Sequence, residues 1–213
     1  MGSKGGKFIT FEGGDGCGKT TQIRLAADFL SCNGFDVLLT REPGGTRIGE
    51  KIRALLLDPE NTEMNDMTEM LLYAAARAQI AHEVIEPAIA AGKHVICDRW
   101  ADSSMVYQGV ARGLGEAVRV VNAYAAGALI TPDATILLDL ETGEALARAD
   151  SGKGGRDRIE ALGAAYQDKV RGAYLELAAR EPERFFVIDA SGGSEEVQER
   201  VRAALTRIFG GVV

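Results

Sequence analysis

The sequence predicts an α/β protein, a doubly wound sheet of five parallel strands flanked by helices, with a short lid. Three observations predict it. Five short apolar runs, beginning near residues 8, 36, 94, 133 and 185, alternate with stretches of helical spacing. The first run leads directly into a glycine-rich turn and a helix start. No internal repeat, linker or composition break divides the 213 residues, so 1–213 reads as one domain.

Taken in order, residues 1–6 (MGSKGG) read as a flexible leader, and Phe8-Ile9-Thr10-Phe11 as a buried strand. Residues 13–20 then satisfy G-x-x-x-x-G-K-[ST], and a helix pattern covers 19–30. Gly13, Gly16 and Gly18 allow backbone conformations that side chains forbid, so N–H groups can converge on a phosphate at a helix N-terminus. Lys19 supplies a point charge to the β- and γ-phosphates, and the Thr20 hydroxyl can ligate Mg²⁺. Gly14, Asp15, Cys17 and Thr21 complete the loop and its flank. This is a binding loop for a nucleoside triphosphate.

Residues 36–40 form the second strand, and Arg41-Glu42-Pro43-Gly44-Gly45-Thr46 a loop at its carboxyl end, where ligands sit in open α/β sheets. Thr46 is placed to cap a helix carrying Ile48, Ile52, Leu55 and Leu56 at core spacing. Arg41 and Arg53 bracket that loop; the alternative for each is a solvated charge. Residues 66–91 are a long helical pattern that Pro87 should kink or break, with an alanine-rich face suited to close packing. Tyr73 and Arg77, four apart, share a face. An aromatic platform beside a bidentate donor suits a planar heterocycle, although spacing alone reads as core plus surface.

The third strand, 94–98, ends in Asp98, which beside a phosphate loop is the usual second Mg²⁺ contact. Arg99 projects into the same crevice, the alternative being a structural salt bridge with Asp98. Ser103, Ser104, Tyr107 and Gln108 give the next helix a polar face. Residues 133–140 are the fourth strand and 142–149 a short helix. The glycine-rich 150–157, with Lys153 and Arg156, reads as a mobile lid or else a surface loop. A helix over 158–179, a strand over 185–188 and a helix over 194–209 close the chain. His82 and His94 read as a helix-surface and a strand-start residue.

Composition removes several classes. A net charge of −7 without a basic run excludes a nucleic-acid polymer as partner. Cys17, Cys32 and Cys97 lack metal spacing, and their odd number fits a reducing cytoplasm. No apolar run approaches the roughly 18 residues of a membrane span. No Asn-Lys-x-Asp segment marks a guanine-reading switch. A phosphate loop, a metal-contact carboxylate and basic side chains that can surround a transferring group point to a small-molecule phosphotransferase with an unnamed acceptor.

GGDGCGKT, TREPGGT, the YAAAR stretch at 73–77, DRW at 98–100, SSMVYQG at 103–109 and DRIE at 157–160 occur in this order. Together they closely resemble the bacterial thymidylate kinases, over about 7–209. The resemblance implies phosphorylation of dTMP to dTDP with ATP and Mg²⁺, in a cytoplasmic homodimer formed through the helix at 66–91. It implies that Tyr73 stacks on thymine, Arg77 bonds its ring oxygen, Ser104 and Gln108 contact the base and Tyr107 presses on the deoxyribose. Asp15, Glu42, Arg53, Arg99 and Ser103 belong with the acceptor, and Arg148 with the adenine side of ATP. It further implies metal contacts from Thr20 and Asp98 and catalytic roles for Lys19, Arg99 and, in the lid, Arg156 helped by Lys153. The residues in the loop's variable positions, Gly14, Asp15 and Cys17, are not basic, which is the pattern of the lid-arginine type. Tyr73 and Trp100 stand where phenylalanine, and tyrosine or histidine, are usual in the family.

Overall fold

The computed structural model describes residues 5–152 and 157–211. Among them, β1 (Phe8–Glu12), α1 (Lys19–Cys32), β2 (Val37–Arg41), α2 (Arg47–Leu57), α3 (Asp66–Ile80), α4 (Glu86–Ala90), β3 (His94–Asp98) and α5 (Ala101–Ser104) make the first half. The second half comprises α6 (Glu116–Ala126), β4 (Ala134–Asp139), α7 (Thr142–Gly152), α8 (Ala164–Arg180), β5 (Phe185–Asp189) and α9 (Ser194–Ile208). The strands form one parallel sheet in the order β2-β3-β1-β4-β5.

The central strand β1 is buried throughout because helices cover both faces of the sheet. Side chains alternate between those faces. Ile9 and Phe11 pack with Ile23, Ala26 and Leu30 of α1 and with Val197, Val201 and Leu205 of α9. Phe8, Val95 and Cys97 pack on the other side with Ile80, Ile85 and Trp100. Several polar residues in and beside this sheet are paired: Thr10 Oγ1 lies 3.0 Å from Thr135 Oγ1, and Asp102 of α5 takes two bonds from Arg184 at 2.7 and 2.8 Å.

Helix ends explain where the observed elements depart from expectation. Thr46 caps α2 by accepting from the Gly49 amide at 2.9 Å, and Asn65 caps α3 by accepting from Thr68 at 2.8 Å. The helix expected over 66–91 is three pieces. α3 gives way to a wide π turn, Ala81–Ile85, and α4 follows with Pro87 in its first turn, so the widened segment sits next to the residue expected to kink or break the helix. The helix expected from 158 starts only at Ala164. Asp157 Oδ1 accepts from the amides of Ile159 and Glu160, both at 2.9 Å, making a local turn that Gly163, at φ 84°, ends. The residues after α5 also widen into a π segment, Met105–Ala111.

Other bounds shift by one to three residues, and α6 carried no expectation. Within the expected leader, the Gly6 amide donates to Ile89 O at 3.2 Å, so ordered contact begins before β1. The apolar spacing of α2 does not all serve the core. Leu56 is buried, but Ile48 and Leu55 are 43% and 52% exposed, beside Met67 and Leu71 of α3 at 44% and 50%. Among the described residues no helix is long and apolar enough to cross a membrane.

Candidate active site

The parallel register brings the carboxyl ends of β1, β2 and β3 to one edge, pairing Phe11 and Arg41 with Asp98. A cleft of about 570 Å³ opens there. Its floor is the loop between β1 and α1. Gly13 and Gly16 have φ of 137° and 81°, and a Cβ on Gly16 would stand 1.9 Å from Ala145 O of α7. α1 begins after Gly18, in the left-handed region, with no side-chain cap on its first amides. Lys19 Nζ bonds Gly13 O at 3.1 Å and Gly14 O at 2.8 Å, folding the side chain over the loop. Cys17 turns instead into the core. Thr20 and Thr21 line the cleft, as does Arg148, which is bonded to Glu144 at 2.6 Å and to Ala190 O at 3.1 Å.

Across from the loop stands Arg99, the one non-glycine residue with positive φ (67°) among those described. Left-handed backbone is costly for such a side chain and persists where the surroundings hold it. They do: its guanidinium donates to Gly13 O at 2.9 Å and Asp15 Oδ1 at 2.6 Å, and sits 5.2 Å from the Tyr107 ring centre. The ion pair expected as an alternative is therefore with Asp15. Asp98 Oδ1 is buried with no hydrogen-bond partner among the described residues. An orphaned carboxylate oxygen in a cleft shared with the Thr20 hydroxyl fits a hard cation completed by phosphate oxygens.

The far wall is built on α3 and the segment after β3. Arg77, on spacing alone a surface residue, is 1% exposed. Its Nε and Nη2 donate to Glu42 Oε2 at 3.1 and 2.6 Å, its Nη1 to Asn122 Oδ1, and its Nη2 to Ser104 Oγ at 2.8 Å. Trp100 lies beneath it, its ring centre 5.6 Å from the guanidinium carbon. Burial pushes the Glu42 carboxyl up and Arg77 pulls it partly back. Glu42 Oε1 and the Tyr107 hydroxyl are buried without partners among the described residues. Tyr73 lines the cleft half-buried, and Gln108 is 2% exposed and bonded to Glu69. Arg53 donates to Pro43 O at 2.9 Å, holding the loop after β2. Arg41 is at the rim, paired with Glu50 at 2.9 Å.

Ser103 does not present a free hydroxyl. It donates to Glu12 Oε2 at 2.6 Å and lies 2.7 Å from Tyr174 OH, so it joins a buried group behind Arg99. Lys153 and Arg156 lie outside the described residues. The remaining expected residues border the cleft, apart from Gly13, Gly14 and Cys17, which line a separate, smaller pocket with Leu138 and Ala145.

A family model described as thymidylate kinase matches residues 11–201. The chain belongs to the thymidylate kinase family. Its relatives include the thymidylate kinases of Desulfosudis oleivorans, 52% identical over 94% of this chain and 97% of that one, and of Symbiobacterium thermophilum, 50% identical over 95% and 94%. The crystal structure of thymidylate kinase from Ehrlichia chaffeensis superposes with a TM-score of 0.77 at 31% identity, covering 94% of this chain and 99% of that one.

Several side chains that shape this family member's cleft escaped sequence reasoning. Glu12 is fully buried, accepting from the Trp100 amide at 2.8 Å and Tyr174 OH at 2.7 Å as well as Ser103. Burial first, then the Asp102 charge, push its carboxyl up to about 7. Its signal was a carboxylate closing a buried, mostly apolar strand. Glu69 sits one turn before Tyr73 on the same helix face, a spacing that could have been noticed. Asn122 and Tyr174 come from α6 and α8 and had no local signal.

Proposed function

We propose that this protein transfers the γ-phosphoryl group of ATP to dTMP, giving dTDP, and that the observation carrying this is the position of Arg99. Its guanidinium touches the triphosphate loop on one side, through Gly13 O and Asp15, and the wall of Tyr107 and Ser103 on the other. A cation there faces both the donor's terminal phosphate and the acceptor phosphate.

ATP would lie along the loop, its phosphates met by the first amides of α1 and by Lys19, with Arg148 at the adenine side. dTMP would enter the opposite pocket, its base against Tyr73 and its edge toward Arg77, Ser104 and Gln108. Tyr107 would pack on the deoxyribose, with Asp15 and Glu42 near its hydroxyl and Arg53 on the phosphate. An oxygen of the dTMP phosphate forms the new bond to the γ-phosphorus, the bond to the β,γ-bridging oxygen breaks, and ADP leaves with that electron pair. The acceptor is already anionic, so no strong base is needed. Alignment and charge neutralisation supply the rate. Mg²⁺, held by Thr20 Oγ1 and Asp98 Oδ1, would offset phosphate charge. Arg156, with Lys153, completes the proposal as a catalytic cation from the segment between α7 and residue 157.

We place the protein in the cytoplasm as a homodimer acting as one kinase domain. The exposed Ile48, Leu55, Met67 and Leu71 on the packed pair α2 and α3 support the dimer, since isolated monomers seldom leave such a patch wet.

The test is a coupled ADP-release assay with Mg·ATP and, in parallel, dTMP, dUMP, dCMP, UMP and thymidine. Turnover should strongly favour dTMP. Preference for another acceptor would discard the pocket assignments, and slow ATP loss indifferent to all five would discard the kinase.

A further inference from the structure

Glu69 is a buried carboxylate that the proposed reaction does not use, yet it gathers three donors. Gln108 Nε2 donates to its Oε1 at 2.8 Å, and Arg112 and Arg158 donate to its Oε2 at 2.9 and 2.6 Å. The residue is 0% exposed, and it joins α3, the π segment and the turn that follows residue 157. An ionised carboxylate accepts hydrogen bonds and gives none, so whatever faces it must donate. Of the two ends of the Gln108 amide, only the NH₂ satisfies that condition. The carbonyl Oε1 is thereby turned away from Glu69, toward the cleft that Gln108 lines, and receives no donor from the described residues.

We propose that Glu69 is a positioning residue for acceptor choice, locking the Gln108 amide so that it presents an acceptor, and never a donor, to the base. The inference rests on the dTMP-binding reading of the cleft. Thymine carries hydrogen on N3 and pairs with a carbonyl oxygen. Cytosine carries a lone pair on N3, and against a locked carbonyl it meets acceptor with acceptor. A glutamine free to rotate would serve either base by flipping its amide. Glu69 removes that freedom, and the two arginines hold Glu69 itself.

A two-by-two cycle tests this, with Glu69→Gln and Gln108→Met separately and combined, and kcat/KM measured for dTMP and dCMP. A glutamine at 69 can donate or accept, so the lock is lost. Glu69→Gln should lower the dTMP:dCMP ratio about tenfold, mostly through KM, the order expected when one buried polar mismatch is relieved. In the Gln108→Met background the same change should leave the ratio where it is, because there is no amide to orient. An equal loss in both backgrounds, or no loss in the first, overturns the proposal in favour of a purely structural Glu69. Should Glu69→Gln fail to fold, Glu69→Asp keeps the charge beside Arg112 and Arg158 while withdrawing it from the amide. It should lower the ratio in the native background only, and an unmoved ratio overturns the proposal. Absence of dTMP turnover in the unaltered chain would overturn the function itself, an outcome distinct from turnover with an unmoved ratio.

Discussion

Arg99 and Glu12 show how single residues set this cleft. Arg99 is held in left-handed backbone by four polar partners and an aromatic face, so its charge is fixed before any ligand arrives. Preorganised charge of this kind accounts for about 10²–10³ in rate at other sites. Arg99→Ala should therefore lower kcat by about 10³-fold while ATP affinity, followed by nucleotide titration, barely moves; an equal loss in both would show that Arg99 serves the donor loop alone. Glu12 behind it titrates abnormally. Unfolded, the carboxyl loses its proton at 4.5, whereas burial keeps it to about 7 in the fold. The folded protein then binds more protons between those values, and its stability should fall as pH rises from 4.5 to about 7. Urea melts across that range should be flatter for Glu12→Gln, and parallel curves would remove Glu12 as the source.

At the scale of elements, the loop after β1 and helix α7 behave as one body because glycine lets them touch. Gly16→Ala would place a methyl 1.9 Å from Ala145 O in a backbone region that alanine avoids. The expected result is a Lys19 displaced with the loop and ATP affinity reduced at least tenfold; wild-type affinity would mean that α7 yields freely. Thr46 acts on α2 in the same local way. Its cap is worth about 1 kcal/mol, so Thr46→Ala should lower stability by that amount in a denaturant melt and raise KM for dTMP, since α2 carries Arg53. These features were unequally legible. The loop motif and Thr46 are contiguous signals, readable because spacing and backbone chemistry coincide. Pro87 marked a break in the 66–91 helix, but the π turn that makes it and the late start of α8 were not legible. Each depends on a few local bonds, such as those of Asp157, that leave the apolar periodicity unchanged.

For the whole molecule, the parallel sheet and its composition of strands were visible in the five apolar runs, but the polar ties across it were not. Arg184 reaches from the start of β5 to Asp102 on α5, two residues with no sequence relation, and holds it by two bonds. Removing one member leaves a buried charge unpaired. Arg184→Met should cost about 3–5 kcal/mol in the same melts, and a loss below 1 kcal/mol would show that water takes the place of the guanidinium. The long-range character of such ties explains why Asn122, Glu12 and Tyr174 went unnoticed, while Tyr73, Arg77 and Gln108 were pointed to by the family resemblance of YAAAR and SSMVYQG rather than by their spacing. The latter line one cleft wall directly. The former support it from β1, α6 and α8. Assembly belongs to this scale as well. Leu55→Glu with Leu71→Glu should halve the sedimenting mass of the proposed dimer, and an unchanged mass would move the interface elsewhere.

The wall facing the phosphate loop carries a genealogical consequence. Glu42, Arg53, Tyr73, Arg77, Ser104 and Gln108 all come from residues 41–108, whereas the loop and Arg148 lie outside that stretch. A single recombination across one uninterrupted gene segment can thus exchange the molecule a descendant recognises, provided that the incoming segment brings its own counterparts of Asp98 and Arg99, which lie in the same stretch.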